Sequence, residues 1–317
     1  MAELNRNIIA VVGPTASGKT ALAVELCKIF GGEVVSCDSM QIYRGMPIAT
    51  ATPTEEEMQG IPHHLIGFAD PKESFSVAAY CTLANECINS IFARGKLPVL
   101  AGGTGLYYSS LTENITFTEQ PDNALVREKL KLKAEKDGAQ SLLDELAAID
   151  PETAAALHVN NLGRIMRALE IYEITGITMT EAKRRSRLNP PTFSTTAIGL
   201  DARDRQYLYN RINRRVDIML QNGLLDEAEH YYRELGGNTS AQAIGYKELY
   251  PYLKGEASLE DCVEHLKLAT RHYAKRQLTW FHRDEKINFL NIDDYSGLSS
   301  LTEAAVLEIK EVQSING

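Results

Sequence analysis

The clearest chemistry in this chain lies in Gly13-Pro14-Thr15-Ala16-Ser17-Gly18-Lys19-Thr20. The spacing G-x-x-x-x-G-K-[ST] lets the backbone wrap so that successive N–H groups point at one anion. Lys19 adds a point charge for a phosphate, and Thr20 a hydroxyl placed to hold Mg²⁺. An ordinary glycine-rich turn with an exposed lysine would use the same residues, but the flanks argue for a phosphate loop. The apolar run Asn7-Ile8-Ile9-Ala10-Val11-Val12 reads as a strand before it. Residues 21–26 read as a helix after it, whose positive dipole end also favours an anion. A phosphate chain is therefore expected here, although the motif does not say whose.

Other residue types that could do chemistry follow along the chain. Residues 32–38 read as a second strand ending in Asp38, and in open α/β sheets ligands bind beyond the carboxyl ends of strands. Asp38 is thus expected in the same crevice, as a functional carboxylate or as a helix N-cap. His63 and His64 are adjacent, so on a strand they point to opposite faces and are not expected to share a metal. The strand over residues 96–101 runs into Gly102-Gly103-Thr104-Gly105. Many phosphate-loop ATPases place a Mg²⁺-positioning Asp here. Glycines instead allow close backbone approach to a substrate, with Thr104 supplying a hydroxyl, which argues against an ordinary ATP hydrolase. Arg164 and Arg167 share a helix face, and Lys183-Arg184-Arg185-Ser186-Arg187 is strongly basic. Arg211, Arg214 and Arg215 cluster at i, i+3 and i+4 beside an apolar stripe at 208, 212, 216 and 219, a geometry suited to gripping phosphates. Lys267, Arg271 and Lys275 repeat every four residues ahead of Arg276, Trp280, His282 and Arg283. Such runs are solvated faces or local footprints for RNA.

The elements that position these residues read as α/β. The expected core is a phosphate-loop NTPase-like parallel sheet flanked by helices, formed by residues 1–117 and 195–317. An all-helical insertion occupies 118–194, and the C-terminal part is helical. A helix is expected from Ser74 to a stop at Gly95. Asp150 with Pro151 marks another helix start, and Asn160 or Asn161 caps a helix ending at Gly176. Residues 195–201 return as a strand, and Ser258 caps the long final helix. With 33 Lys+Arg against 42 Asp+Glu, the chain is acidic, so any nucleic-acid surface must be local. No run approaches the ~18 apolar residues of a membrane span, and no signal peptide is expected. Cys27, Cys37, Cys81, Cys87 and Cys262 lack C-x-x-C spacing, so reduced thiols in a cytoplasmic protein are expected rather than disulfides.

Taken together, Gly13 to Thr20, Asp38-Ser39-Met40-Gln41-Ile42-Tyr43-Arg44-Gly45, Pro62-His63-His64-Leu65, Ala101 to Tyr107, Asn161 to Glu170 and Ala274-Lys275-Arg276-Gln277-Leu278-Thr279-Trp280 resemble the bacterial tRNA dimethylallyltransferases. The blocks occur in that family's order over about residues 8 to 283. The resemblance implies transfer of a dimethylallyl group from dimethylallyl diphosphate to N6 of the tRNA adenosine just 3′ of the anticodon, with Mg²⁺. It implies Asp38 as general base, Lys19 and the loop amides on the diphosphate, Mg²⁺ near Thr20, and Arg215, Thr104 and Arg127 around the reacting groups. It further implies tRNA contacts from Asp38, Ser39, Met40 and Gln41 and from Gly163, Arg164, Ile165, Met166 and Arg167. The basic face at 267–275 and residues 241–247 are further RNA candidates. The expected partner is a tRNA anticodon stem-loop, not DNA or a membrane, and the chain is expected to act as a monomer. The tail after Arg283 has no cysteine, so no zinc finger is expected there. ATP would fit the same loop amides, so a small-metabolite kinase stays open, as does prenylation of a free adenine nucleotide.

Overall fold

A computed structural model describes residues 6–117, 124–233 and 243–315. The chain divides into two compact units, Met1–Thr112 with Thr192–Gly317, and Glu113–Pro191.

In the first unit, β1 (Asn7–Val12), α1 (Lys19–Phe30), β2 (Gly32–Ser36), α2 (Glu55–Met58), β3 (His63–His64), α3 (Val77–Ala93), β4 (Leu97–Gly102) and α4 (Gly105–Thr112) come first. The strands are short and rich in β-branched residues, and Ile9, Ala10, Val11 and Val12 are fully buried, as parallel strands covered on both faces must be. α3 starts a little later than its periodicity suggests, because Ser76 accepts the Ala79 N–H and so caps it.

The second unit contains α5 (Ala124–Ile149), α6 (Pro151–Ala155), α7 (Leu162–Thr175) and α8 (Met179–Ser186), without strands among the described residues. Leu130, Leu142, Leu146, Ile165 and Leu169 form its core. α5 is bent at Gly138, which has φ 84°. Asp150 caps α6 through the Thr153 N–H (3.1 Å) and binds the Thr180 N–H (2.9 Å) and hydroxyl (2.6 Å) at the start of α8. Burial pushes its carboxyl up, but the bonds from Thr180 and Thr153 outweigh that and hold it at about 2.

The chain returns to the first unit with β5 (Ser194–Asp201), α9 (Arg205–Gln221), α10 (Leu224–Tyr232), α11 (Tyr250–Leu253), α12 (Leu259–Phe281), β6 (Ile287–Asn291) and α13 (Leu298–Ile315). The six strands lie in the order β3-β2-β4-β1-β5-β6, all pairs parallel. The connection leaving β1 runs toward β2, and the chain leaving β4 reappears in β5 on the other side of β1. The two connections run in opposite directions across the sheet, so right-handed crossovers carry them to opposite faces, and the crevice beyond the ends of β1 and β4 is where such a sheet binds ligands. The five cysteines are free thiols, and Cys27, Cys37, Cys81 and Cys262 are buried.

Candidate active site

The loop after β1 is built to leave donors for an anion. Gly18, in the left-handed region at φ 97°, caps α1 with no side-chain acceptor, so the first N–H groups of α1 have no partner within the helix. Ala16 sits at φ 62°, a conformation its Cβ disfavours, and Arg211 Nε donates to its carbonyl (2.8 Å). Ser17 Oγ and Lys19 Nζ both donate to the Pro14 carbonyl, at 2.8 and 2.6 Å. The loop is thus pinned from within by bonds to the Pro14 carbonyl.

A cavity of about 1010 Å³ opens above the carboxyl ends of the strands. One wall is the phosphate loop, with Thr15, Ala16, Gly18, Lys19 and Thr20. Another is the segment after β2, with Asp38, Ser39, Met40 and Gln41. α9 contributes Arg211, Arg214 and Arg215, and α12 contributes Tyr273, Arg276 and Gln277. The arginines point there because Leu208, Ile212 and Val216, at the other positions of the helical period, are buried in the core.

Asp38 does not start a helix. The chain beyond it makes turns, and Asp38 Oδ1 accepts the Met40 N–H (2.9 Å). Thr104 stands behind this segment rather than in the cavity wall. Its Oγ1 accepts the Ser39 N–H (2.9 Å) and donates to Ser39 Oγ (3.1 Å), while its own N–H donates to the Cys37 carbonyl (3.1 Å). Gly102 permits this approach, since a Cβ there would lie 2.1 Å from the Cys37 oxygen. The glycine-rich loop after β4 thereby sets the position of the carboxylate after β2.

The electrostatics are those of a buried cation cluster. Desolvation and the neighbouring Arg215 guanidinium push Lys19 down to about 7, with Asp38 pulling the other way. Burial also lowers Arg215, with Glu57 and Asp38 opposing. Tyr273 is pushed well above the usual phenol range by burial and by the Asp38 charge, so it stays a neutral hydroxyl beside that carboxylate.

The comparisons with known proteins agree with one another. The family model described as IPP transferase matches residues 41–284, and the one described as Isopentenyl transferase matches residues 6–66. The tRNA dimethylallyltransferase of Thermoanaerobacter sp. (strain X514) is 48% identical over 299 residues, covering 93% of this chain and 94% of the relative. The chain belongs to the tRNA dimethylallyltransferase family. The Bacillus subtilis (strain 168) tRNA dimethylallyltransferase is 48% identical over 286 residues, 90% of each chain. The solved structure of the tRNA isopentenylpyrophosphate transferase from Bacillus halodurans has a TM-score of 0.72 at 42% identity, covering 98% of this chain and 99% of that one. A eukaryotic dimethylallyltransferase solved acting on tRNA has a TM-score of 0.80 at 30% identity, covering 95% of this chain and 78% of that one.

Within this family member, the structure brings Lys19, Thr20, Asp38, Ser39, Met40, Gln41 and Arg215 around one cavity, with Thr104 bonded to its wall. Arg127 and residues 163–167 lie on α5 and α7 of the helical unit. There the buried Glu170 accepts from Arg127 (2.8 Å) and Arg167 (2.9 Å), and its carboxyl stays low because the two arginine bonds outweigh its burial. In the basic run of α8, Arg184 and Arg185 both pair with Glu181. On α12, Lys267 is tied to Asp217 (2.9 Å) and Glu264 (3.1 Å) and Arg271 to Asn213 (2.8 Å), leaving Lys275 exposed. Of the segment 241–247, residues 241 and 242 lie outside the described residues, while Ala243, Ile244 and Lys247 line the cavity. His63 bonds the Ile61 carbonyl (2.8 Å) and His64 bonds Glu33 (2.7 Å).

Sequence reasoning missed Glu227. Its carboxylate accepts the Ile48 (3.0 Å) and Ala49 (2.8 Å) N–H groups and the Tyr246 hydroxyl (2.8 Å), fixing a cavity wall from α10. It also missed Tyr273 and Gln277, although Gln277 stands inside a motif string. Their helical position one turn apart was the available signal.

Proposed function

We propose that this chain transfers a dimethylallyl group from dimethylallyl diphosphate to the exocyclic N6 of the adenosine at tRNA position 37, immediately 3′ of the anticodon. The carrying observation is that a cationic phosphate loop and a carboxylate, Asp38, line one cavity, in a chain of the tRNA dimethylallyltransferase family.

The diphosphate sits against the α1 N-terminus, Lys19 and Arg215. The target base leaves the anticodon-loop stack to reach the cavity, which in an unpaired loop costs only a few kcal/mol. It lies against Ser39, Met40 and Gln41, with the exocyclic amine toward Asp38. N6 attacks the allylic carbon, the carbon–oxygen bond breaks with its electron pair going to the diphosphate, and the N6 proton passes to Asp38. The lone pair of N6 is delocalised into the ring, so removal of that proton matters as the new bond forms. Lys19 and Arg215 stabilise the charge gathering on the leaving group. Thr104 holds the Asp38 segment in place through Ser39, and Arg127 and residues 163–167 contact the tRNA from the helical unit.

The described residues contain no group of three His, Cys, Asp or Glu side chains that could cage a metal. A single hydroxyl oxygen beside a phosphate site, as Thr20 provides, fits Mg²⁺, which keeps waters and takes most of its remaining ligands from substrate phosphates. Thr20, at the cavity wall, is the residue that would hold it, and the ion would neutralise charge on the departing diphosphate. No helix among the described residues is long and apolar enough to cross a membrane. The tRNA substrate is what leads us to place the enzyme in the cytoplasm, and we take it to act as a monomer.

Incubation with Mg²⁺ and labelled dimethylallyl diphosphate tests this reading, with tRNA or AMP as acceptor. Label is expected in tRNA. Label in AMP alone, or phosphate transfer from ATP, overturns it.

A further inference from the structure

One side chain joins the two loops on which the site depends. Gln277, on α12, is buried at 5% exposure. Its Oε1 accepts the Thr15 N–H of the phosphate loop at 2.9 Å, and its Nε2 donates to the Gly103 carbonyl of the loop after β4, also at 2.9 Å. These loops leave the adjacent strands β1 and β4, which stay paired up to Val12 and Gly102. Nothing else described above bonds both loops through a single side chain.

The bridge is chemically exacting. It requires one acceptor and one donor on the same planar group, which a carboxamide has and a carboxylate lacks. Gly103 is shaped to receive it, since a Cβ there would lie 2.1 Å from Nε2. One turn further on, Trp280 covers Gly105, where a Cβ would meet its Cδ1 at 2.2 Å, and Trp280 Nε1 donates to Ser109 Oγ (3.1 Å). α12 therefore holds the loop after β4 at Gly103, the start of α4 at Gly105 and Ser109, and the phosphate loop at Thr15. The same loop carries Thr104, which holds Ser39 and with it the segment of Asp38.

We propose that Gln277 is a positioning residue that fixes the span between the diphosphate loop and the loop that sets Asp38, holding leaving group and base in register. This rests on the assignment of those two roles made above. Each half of the site is built mainly from its own residues, so loss of the bridge leaves ligand binding in each half and misaligns them. A displacement of about 1 Å between reacting groups costs on the order of 10²-fold in rate.

The test is Gln277→Glu, which keeps the acceptor for Thr15 and sets a carboxylate oxygen against the Gly103 carbonyl, together with Gln277→Met, which keeps the volume. Single-turnover transfer to tRNA is measured at saturating substrates, alongside affinity for inorganic diphosphate, affinity for tRNA and melting temperature. The expected result is a rate lower by roughly 10- to 10²-fold in both variants with both affinities held. The melting temperature falls with the lost buried hydrogen bonds but stays well above the assay temperature. Gly103→Ala, which displaces the carboxamide from the other side, gives the same split, and combining it with Gln277→Met adds little further loss. An unchanged rate overturns the proposal, as does a rate that falls only in step with diphosphate affinity, or one that recovers fully when the assay is run at lower temperature. If the unaltered chain transfers nothing to tRNA, the functional reading fails first, and that control separates the two.

Discussion

Lys19 reports on whether the phosphate loop waits for an anion. In the ligand-free chain, burial and Arg215 hold it at about 7, against an ordinary ~10.5. A diphosphate placed beside it removes the unbalanced positive charge and returns it toward the ordinary value. At pH 8 the free lysine is only ~10% protonated, so binding takes up ~0.9 proton, whereas at pH 6 it takes up ~0.1. The bound state holds more protons, so binding strengthens as pH falls and levels off below pH 7. Between about pH 7 and 10 this lysine alone weakens affinity roughly tenfold per pH unit. Calorimetry of diphosphate binding in two buffers of different ionisation enthalpy reads the uptake directly. Lys19→Arg, whose guanidinium stays protonated throughout, provides the subtraction for the ligand's own titration. Equal proton uptake by the parent and Lys19→Arg at pH 8 would refute the reasoning, as would a pH-independent difference in affinity.

Three further outcomes follow from the same geometry. Asp38→Asn keeps the acceptor for the Met40 N–H and removes the base, so kcat is expected to fall ~10²–10⁴-fold with tRNA affinity and melting temperature unchanged. Asp38→Ala adds the loss of that turn bond, at about 1 kcal/mol, and a matching drop in thermal stability distinguishes the two variants. Arg215→Ala removes a positive charge facing the leaving group, which is expected to lower kcat by at least ~10²-fold. It also raises the Lys19 pKa, seen as smaller proton uptake in the calorimetric experiment. On α12, Lys275→Ala is expected to flatten the salt dependence of tRNA binding by about one unit, whereas Lys267→Ala leaves it unchanged, because Lys267 is held by Asp217 and Glu264.

What the sequence revealed and what it concealed divide along the range of the interactions. The phosphate loop is a local pattern, strand, turn and helix within about 25 residues, and nothing distant is needed to read it. The arginine face of α9 was equally legible, because burial of Leu208, Ile212 and Val216 dictates where positions 211, 214 and 215 point. Asp38 was ambiguous as long as the conformation after it was unknown. Turns rather than a helix follow it, which removes the capping reading and leaves a carboxylate at the cavity. Lys267 shows the opposite case, in which periodicity exposed a basic stripe on one helix but not the Asp217 that α9 sets against it. Gln277 and Glu227 act on backbone groups 262 and 179 residues away, and no local pattern encodes such a contact.

In the proposed reaction, leaving group and acceptor meet in one cavity between Lys19 and Asp38, and the acceptor is N6 of the adenosine 3′ of the anticodon. Nucleoside mass spectrometry tests it most directly, on tRNA incubated with the protein, Mg²⁺ and dimethylallyl diphosphate, then digested and mapped. N6-dimethylallyl adenosine is expected at that one position, and is expected to be absent with Asp38→Asn on the same time scale. Modification at another base or atom, or an unimpaired Asp38→Asn product yield at early times, would contradict it.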